Sequence, residues 1–212
     1  MRPSDLARVA QRQGVTDERV LEAMRRVDRR GFVPAHLAHE AGMDGPLPIG
    51  EGQTTSQPSL IGQMLQAAEI DPDARVLEIG TGLGYQTALL CHLAADVHSV
   101  ERHASLAQAA RANLAKAGLR ARIVTGDGAE GLPDAAPFDA IIVAAAAAEM
   151  PVAWAEQLVV GGRLVAPMGG RESQFVEVHR RQAAGLGPPE RLVGVRFVPL
   201  VRGPQPRSRG AT

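Results

Sequence analysis

Cysteine is almost absent: Cys91 stands alone among 212 residues, so no intrachain disulfide can form. Flanked by Ala88, Leu89, Leu90 and Leu93, it reads as a small buried hydrophobe rather than a nucleophile. Lysine is nearly missing too, Lys116 being the only one among 23 basic residues, a compositional bias without functional consequence. No run of 18 apolar residues exists to cross a membrane, and Arg2, Arg8 and Arg12 interrupt an N-terminus that has no apolar core of the signal-peptide kind. Net charge is zero, which argues against nucleic-acid binding by bulk electrostatics. The six histidines are scattered. The one close pair, His36 and His39, has no Cys or carboxylate cluster beside it, so no metal site is expected. These absences lead us to expect a cytoplasmic monomer with neither membrane nor nucleic acid as partner.

What is present is a folded chain: 45% hydrophobic and 22% charged, long enough to bury a full core as one domain, with no repeats and no linker. Val20, Leu21, Met24 and Val27 recur at helical spacing after Thr16-Asp17, which can cap. Residues 42–58 are Gly- and Pro-rich and read as an irregular loop. Leu60, Ile61, Met64, Leu65 and Ala68 mark a second helix, stopped by Asp71-Pro72. Strands are then expected at 76–79, 97–100, 121–124, 140–143 and 163–166, separated by helices at 86–94, 104–117 and 152–158. That alternation implies an α/β fold, a doubly wound, mostly parallel sheet covered on both faces. Two further β-rich runs, 175–179 and 192–198, look like antiparallel strands closing one edge. The chain divides into an N-terminal helical and loop segment (1–72), a sheet core (73–202) and a flexible tail (203–212).

Glu78-Ile79-Gly80-Thr81-Gly82-Leu83-Gly84 lies between the first expected strand and its helix. Glycines there let the backbone turn sharply and let a ligand approach closely. A dinucleotide fingerprint would need Gly-x-Gly-x-x-Gly, but position 85 is Tyr and the third glycine arrives early, at 84. A carboxylate two residues before Gly80 also suits a cationic ligand better than a pyrophosphate. Glu101 closes the second strand, where an acid can accept hydrogen bonds from both ribose hydroxyls, and Asp127-Gly128 follows the third, where Asp127 can meet an adenine amino group and Gly128 gives backbone access.

Several segments carry a more specific likeness: Phe32-Val33-Pro34, Pro46-Leu47-Pro48-Ile49-Gly50, Gly52-Gln53-Thr54-Thr55-Ser56-Gln57-Pro58, Gly126-Asp127-Gly128, Pro137-Phe138-Asp139-Ala140-Ile141-Ile142-Val143, Gly161-Gly162-Arg163-Leu164-Val165 and Arg196-Phe197-Val198-Pro199-Leu200. In this order, over about residues 16–201, the chain resembles the protein-L-isoaspartate O-methyltransferase family, within the class I S-adenosylmethionine-dependent methyltransferases. The Gln-Thr-x-Ser block is the specific part, since the glycine turn belongs to a much larger superfamily. The resemblance implies a Rossmann-like methyltransferase fold, S-adenosyl-L-methionine as cofactor, and isoaspartyl proteins and peptides as substrates. It makes residues 1–72 helices and a substrate loop. It implies Ser56 as the active-site residue, with Thr55, Ser56 and Val198 at the substrate. Thr54, Thr55, Glu78, Gly80, Gly82, Glu101, Asp127 and Gly128 would form the cofactor site. Three positions depart from the usual pattern: Thr55 where Ile is common, and Glu51 and Ser59 where an aromatic or His is common.

A carboxylate substrate is ionised at neutral pH, with a pKa near 4, so methyl transfer to it requires no general base, and the sequence offers no obvious Ser-His-Asp arrangement. Ser56 is therefore expected to orient the carboxylate without forming a covalent intermediate. Three other readings stay open on the residues alone: a relative acting on one dedicated aspartate-containing peptide or small acid, a nicotinamide dehydrogenase on the same sheet, and a non-enzymatic S-adenosylmethionine sensor.

Overall fold

The computed structural model describes residues 3–170 and 172–203. Three N-terminal helices come first: α1 (Pro3–Arg12), α2 (Glu18–Arg26) and, after a hairpin of β1 (Leu47–Gly50) and β2 (Gln53–Thr55), α3 (Pro58–Ala67). Asp17 starts α2 as its cap, its carboxylate accepting from the Arg19 N–H at 2.8 Å. The alternating part follows as β3 (Arg75–Ile79), α4 (Tyr85–Leu90), β4 (Asp96–Glu101), α5 (Ala104–Lys116), β5 (Arg122–Thr125), β6 (Phe138–Val143), α6 (Val152–Glu156) and β7 (Leu158–Gly169). The chain closes with β8 (Gln174–Gln182), β9 (Gly185–Leu186) and β10 (Glu190–Val195).

The sheet order is β10-β8-β7-β6-β3-β4-β5, with β9 alongside β8. The strands from β7 through β5 run parallel, whereas β8, β9 and β10 join antiparallel, as expected for a doubly wound sheet with an antiparallel C-terminal edge. Chain order reverses at β3, between β4 on one side and β6 on the other, and such switch points open a crevice beyond the C-terminal strand ends.

The period of two along each strand divides the core into two layers. Val76, Ala140 and Ile142 face the layer built with α1 to α5, whereas Leu77, Ile79, Ile141 and Val143 face the one containing Trp154 and Leu158. Both faces of the central strands are covered, which is why these strands read as continuous apolar runs.

Several sequence expectations change. Residues 42–58 are not irregular throughout: they contain the β1–β2 hairpin, turned by Glu51 and Gly52 at φ 53° and 68°. Consecutive positive φ angles suit a two-residue hairpin turn, and Glu at the first position hid that signal. Helix α1 was not anticipated, because its buried face consists only of Leu6, Ala7 and Ala10 between polar residues. The helix expected at 152–158 stops at Glu156, and the strand expected at 163–166 runs from Leu158. Gly161-Gly162 sits in a bulge within β7, where pairing moves from Phe138↔Leu158 to Ala140↔Arg163. Of the expected tail, Gly203 is held by Asp127, and residues 204–212 lie outside the described residues.

Candidate active site

The crevice at the C-terminal ends of β3 and β4 holds a cavity of about 110 Å³. Its floor is the turn Gly80-Thr81-Gly82-Leu83, and one wall is Glu101. The Glu101 carboxylate is fixed by two backbone donors, the N–H of Gly82 at 2.8 Å and that of His103 at 2.9 Å. It thereby ties the end of β4 to the glycine turn and keeps an acceptor on the cavity. Gly80, Gly82 and Gly84 all have φ between 56° and 94°, a region that a Cβ would strain.

Gly128 lines the opposite wall, where a Cβ would come within 2.4 Å of Ile79 Cγ2. Its carbonyl accepts from the indole N–H of Trp154 at 2.8 Å, a fully buried side chain that secures this part of the wall from below. The roof is the hairpin. Thr54, Thr55 and Ile49 line the cavity, and Ile49 lies close enough to Gly82 that a Cβ there would meet Ile49 Cδ1 at 3.0 Å. At the hairpin tip, Glu51 Oε1 accepts from the Ser105 hydroxyl at 2.6 Å, and Oε2 lies 3.7 Å from His103 Nδ1.

A second cleft adjoins the first. Thr54, Ser56, Ala144 and Val198 line both spaces, so Ser56 stands where they meet. Gly194, Arg196 and Phe197 form part of the cleft wall, which places the start of the Arg196–Leu200 motif on the second space and its end on the first.

Two expected cofactor residues are placed differently. Glu78 lies outside the cavity lining: fully buried, its carboxylate accepts from Gln86 Nε2 at 3.1 Å, Thr87 Oγ1 at 2.5 Å and Ser99 Oγ at 2.7 Å. Strand alternation puts it on the face of Val76, behind the glycine turn. Burial outweighs those three hydrogen bonds and raises its pKa from 4.5 to about 7. Asp127 also lies outside the lining. One carboxylate oxygen accepts from the Ala129 N–H at 2.9 Å and the other from the Gly203 N–H at 2.5 Å, so its side chain shapes the turn that presents Gly128. The remaining expected residues, Thr54, Thr55, Ser56, Gly80, Gly82, Glu101, Gly128 and Val198, all line one or both spaces.

Tyr85, His103 and Val201 also line the cavity, and Arg29 and Asp44 lie beneath the hairpin segment, without a signal in the sequence that marks them as site residues. Arg29 stands in the polar run Asp28-Arg29-Arg30, where nothing local separates a buried arginine from an exposed one.

The sequence profile of the protein-L-isoaspartate(D-aspartate) O-methyltransferase family matches residues 1–205. The chain belongs to this family. A protein-L-isoaspartate O-methyltransferase of Methanoculleus marisnigri is 52% identical over 191 residues, covering 89% of this chain and 86% of the relative. Among solved structures, a protein-L-isoaspartate O-methyltransferase superposes with a TM-score of 0.84 at 27% identity, over 95% of this chain and 66% of that longer one. A Plasmodium falciparum structure assigned to the same family, in complex with S-adenosyl-L-homocysteine, gives a TM-score of 0.84 at 23% identity and covers 96% of this chain and 100% of that one, a likeness of fold. As a family member this chain is an S-adenosylmethionine-dependent enzyme with protein-L-isoaspartate O-methyltransferase activity.

Proposed function

We propose that the cavity above the glycine turn holds S-adenosylmethionine, that the adjoining cleft receives a peptide, and that Ser56 aligns the isoaspartyl carboxylate between them. The observation that carries this reading is the position of Ser56 on both spaces. The cavity suits such a ligand: glycines let the backbone approach it, and the Glu101 carboxylate offers acceptors to a ribose. When bound, the cofactor supplies a methyl group activated by its sulfonium.

This chain's residues then have two tasks, orienting and excluding water. The substrate carboxylate is already ionised, so Ser56 needs only to donate a hydrogen bond that aims one oxygen at the methyl carbon. That oxygen forms the new bond as the carbon–sulfur bond breaks and its electron pair passes to sulfur. The hairpin over the cavity restricts the water that would blunt a charged nucleophile. In the ester product the following backbone nitrogen can displace methanol and close a succinimide, and hydrolysis returns part of it to normal aspartate. This later phase proceeds without the enzyme and accounts for a role in protein repair. The same reading takes the chain as a cytoplasmic monomer. Among the described residues no helix is long and apolar enough to cross a membrane.

The test is methyl transfer from labelled cofactor to paired peptides containing isoaspartate or aspartate, with wild type and Ser56→Ala. Wild type should label the isoaspartyl peptide only. Ser56→Ala should bind cofactor nearly unchanged and be slower by roughly 10- to 150-fold, the worth of a hydrogen bond to a charged group. Full activity in Ser56→Ala would end the positioning role, and equal labelling of both peptides would end the substrate assignment.

A further inference from the structure

Beneath the Ser56 segment lies a cation that neither space uses. Arg29 is 1% exposed, and its guanidinium donates to four backbone carbonyls. Nη1 reaches those of Ala41 at 3.4 Å and Met43 at 2.8 Å, and Nη2 reaches those of Gly45 at 2.8 Å and Ser56 at 3.2 Å. The group sits 5.8 Å from the centroid of the Tyr85 ring. It forms no ion pair with any carboxylate among the described residues, and Nε has no hydrogen-bond partner there.

Burying a charge in this way is unfavourable, and an apolar side chain of similar volume would fill the same space at lower cost. A flat guanidinium can do what that side chain cannot, which is to hold carbonyls from separate turns in one fixed fork. Here the fork joins the turns at residues 41–45 to residue 56. The next residues are tied down from the same turns. Asp44 accepts from the Ser59 N–H at 2.8 Å, from Ser59 Oγ at 2.7 Å and from Gln57 Nε2 at 2.9 Å. Ser56 is therefore bracketed, held through its own carbonyl by Arg29 and through Gln57 and Ser59 by Asp44. Neither Arg29 nor Asp44 lines the cavity or the cleft, so any effect on the reaction passes through the backbone they hold.

We propose that Arg29 is a positioning residue for methyl transfer, its fork fixing the Ser56 backbone so that the hydroxyl stays at the junction of the two spaces. This rests on the reading of Ser56 given above. Misplacing a reacting group by about an ångström costs on the order of 100-fold in rate, so a loose Ser56 would show in turnover with little change in cofactor affinity.

The experiment uses the full chain as wild type, Arg29→Met, Arg29→Lys, Ser56→Ala and the Arg29→Met/Ser56→Ala double variant. Calorimetry with S-adenosylhomocysteine counts competent sites, and kcat for an isoaspartyl peptide is expressed per competent site. Arg29→Met should lose roughly 10- to 100-fold in kcat per site, with cofactor affinity within about 3-fold of wild type. Arg29→Lys, with the charge but no fork, should recover part of the loss. In the Ser56→Ala background the Arg29→Met loss should shrink to about 2-fold, because the two residues act as one unit. An unchanged kcat per site in Arg29→Met would make the role one of stability alone and overturn the proposal. So would a raised peptide KM at constant kcat, or an undiminished Arg29→Met effect in the Ser56→Ala background. Full activity of Ser56→Ala by itself would instead remove the Ser56 reading, and with it this route for Arg29. If Arg29→Met yields no competent sites, Arg29→Lys with and without Ser56→Ala decides by the same comparison: a loss per site that vanishes without the hydroxyl supports the proposal, and no loss overturns it.

Discussion

At Glu78, full burial raises the carboxyl's pKa to about 7, against the hydrogen bonds from Ser99, Thr87 and Gln86. The folded protein therefore binds a proton here more tightly than the unfolded chain does. The resulting stability is fully present below the ordinary value of 4.5 and is lost as pH rises through about 7. A neutral amide has no such dependence. Glu78→Gln should therefore gain on wild type by roughly 2–3 kcal/mol between about pH 5 and pH 8, measured by urea unfolding. An unchanged difference at the two pH values would show that Glu78 does not hold its proton in the folded state. Glu101, at the end of the neighbouring strand, has a different place: it is buried but stands on the cavity, with backbone N–H groups as partners. Both acids lie close to the C-terminal ends of strand-like runs in the sequence. They share a face of the sheet, since Glu78 pairs with Ser99 and Glu101 lies two residues beyond it, and only their depth along the strands separates them: Glu78 is inside β3, Glu101 at the cavity end of β4.

Among the elements, the hairpin roofs the cavity, so on the proposed reading it is the one expected to bear most on product release. Its tip is fastened by one exposed carboxylate, Glu51, which accepts from the Ser105 hydroxyl and lies beside His103. Exposed contacts of this kind contribute on the order of 0.5–1 kcal/mol. Glu51→Ala should accordingly speed S-adenosylhomocysteine release by roughly 2- to 5-fold, read in a stopped-flow displacement experiment with unchanged circular dichroism. An unchanged release rate would remove the tip as a fastening. The glycine turn was the element most legible beforehand, because its residue spacing is itself the geometric requirement. The hairpin was not, because its two strands are short and Glu51 occupies a position where Asn or Gly would have announced the turn.

For the whole molecule, a ligand that binds the folded chain and not the unfolded one stabilises the fold. S-adenosylhomocysteine at about 100 times its dissociation constant should add roughly 2.7 kcal/mol by mass action and raise the melting temperature, whereas NAD should leave it unchanged. A shift with NAD alone would favour the dehydrogenase reading of the glycine turn. The Gly80-Thr81-Gly82-Leu83-Gly84 spacing and the absence of a third glycine at 85 already argue against that reading.

The sequence alone determined the alternation of strands and helices, the antiparallel edge, the glycine turn and the family likeness centred on Thr54-Thr55-Ser56. These are local matters, written in periodicity and spacing within about ten residues. Only the tertiary structure decided that Glu78 turns away from the cavity, that Asp127 braces the Gly128 turn and that Arg29 is buried under Ser56. Burial and partnership depend on which elements pack together. The carbonyls that receive Arg29 come from residues 12 to 27 positions further along the chain, and no local pattern encodes that meeting.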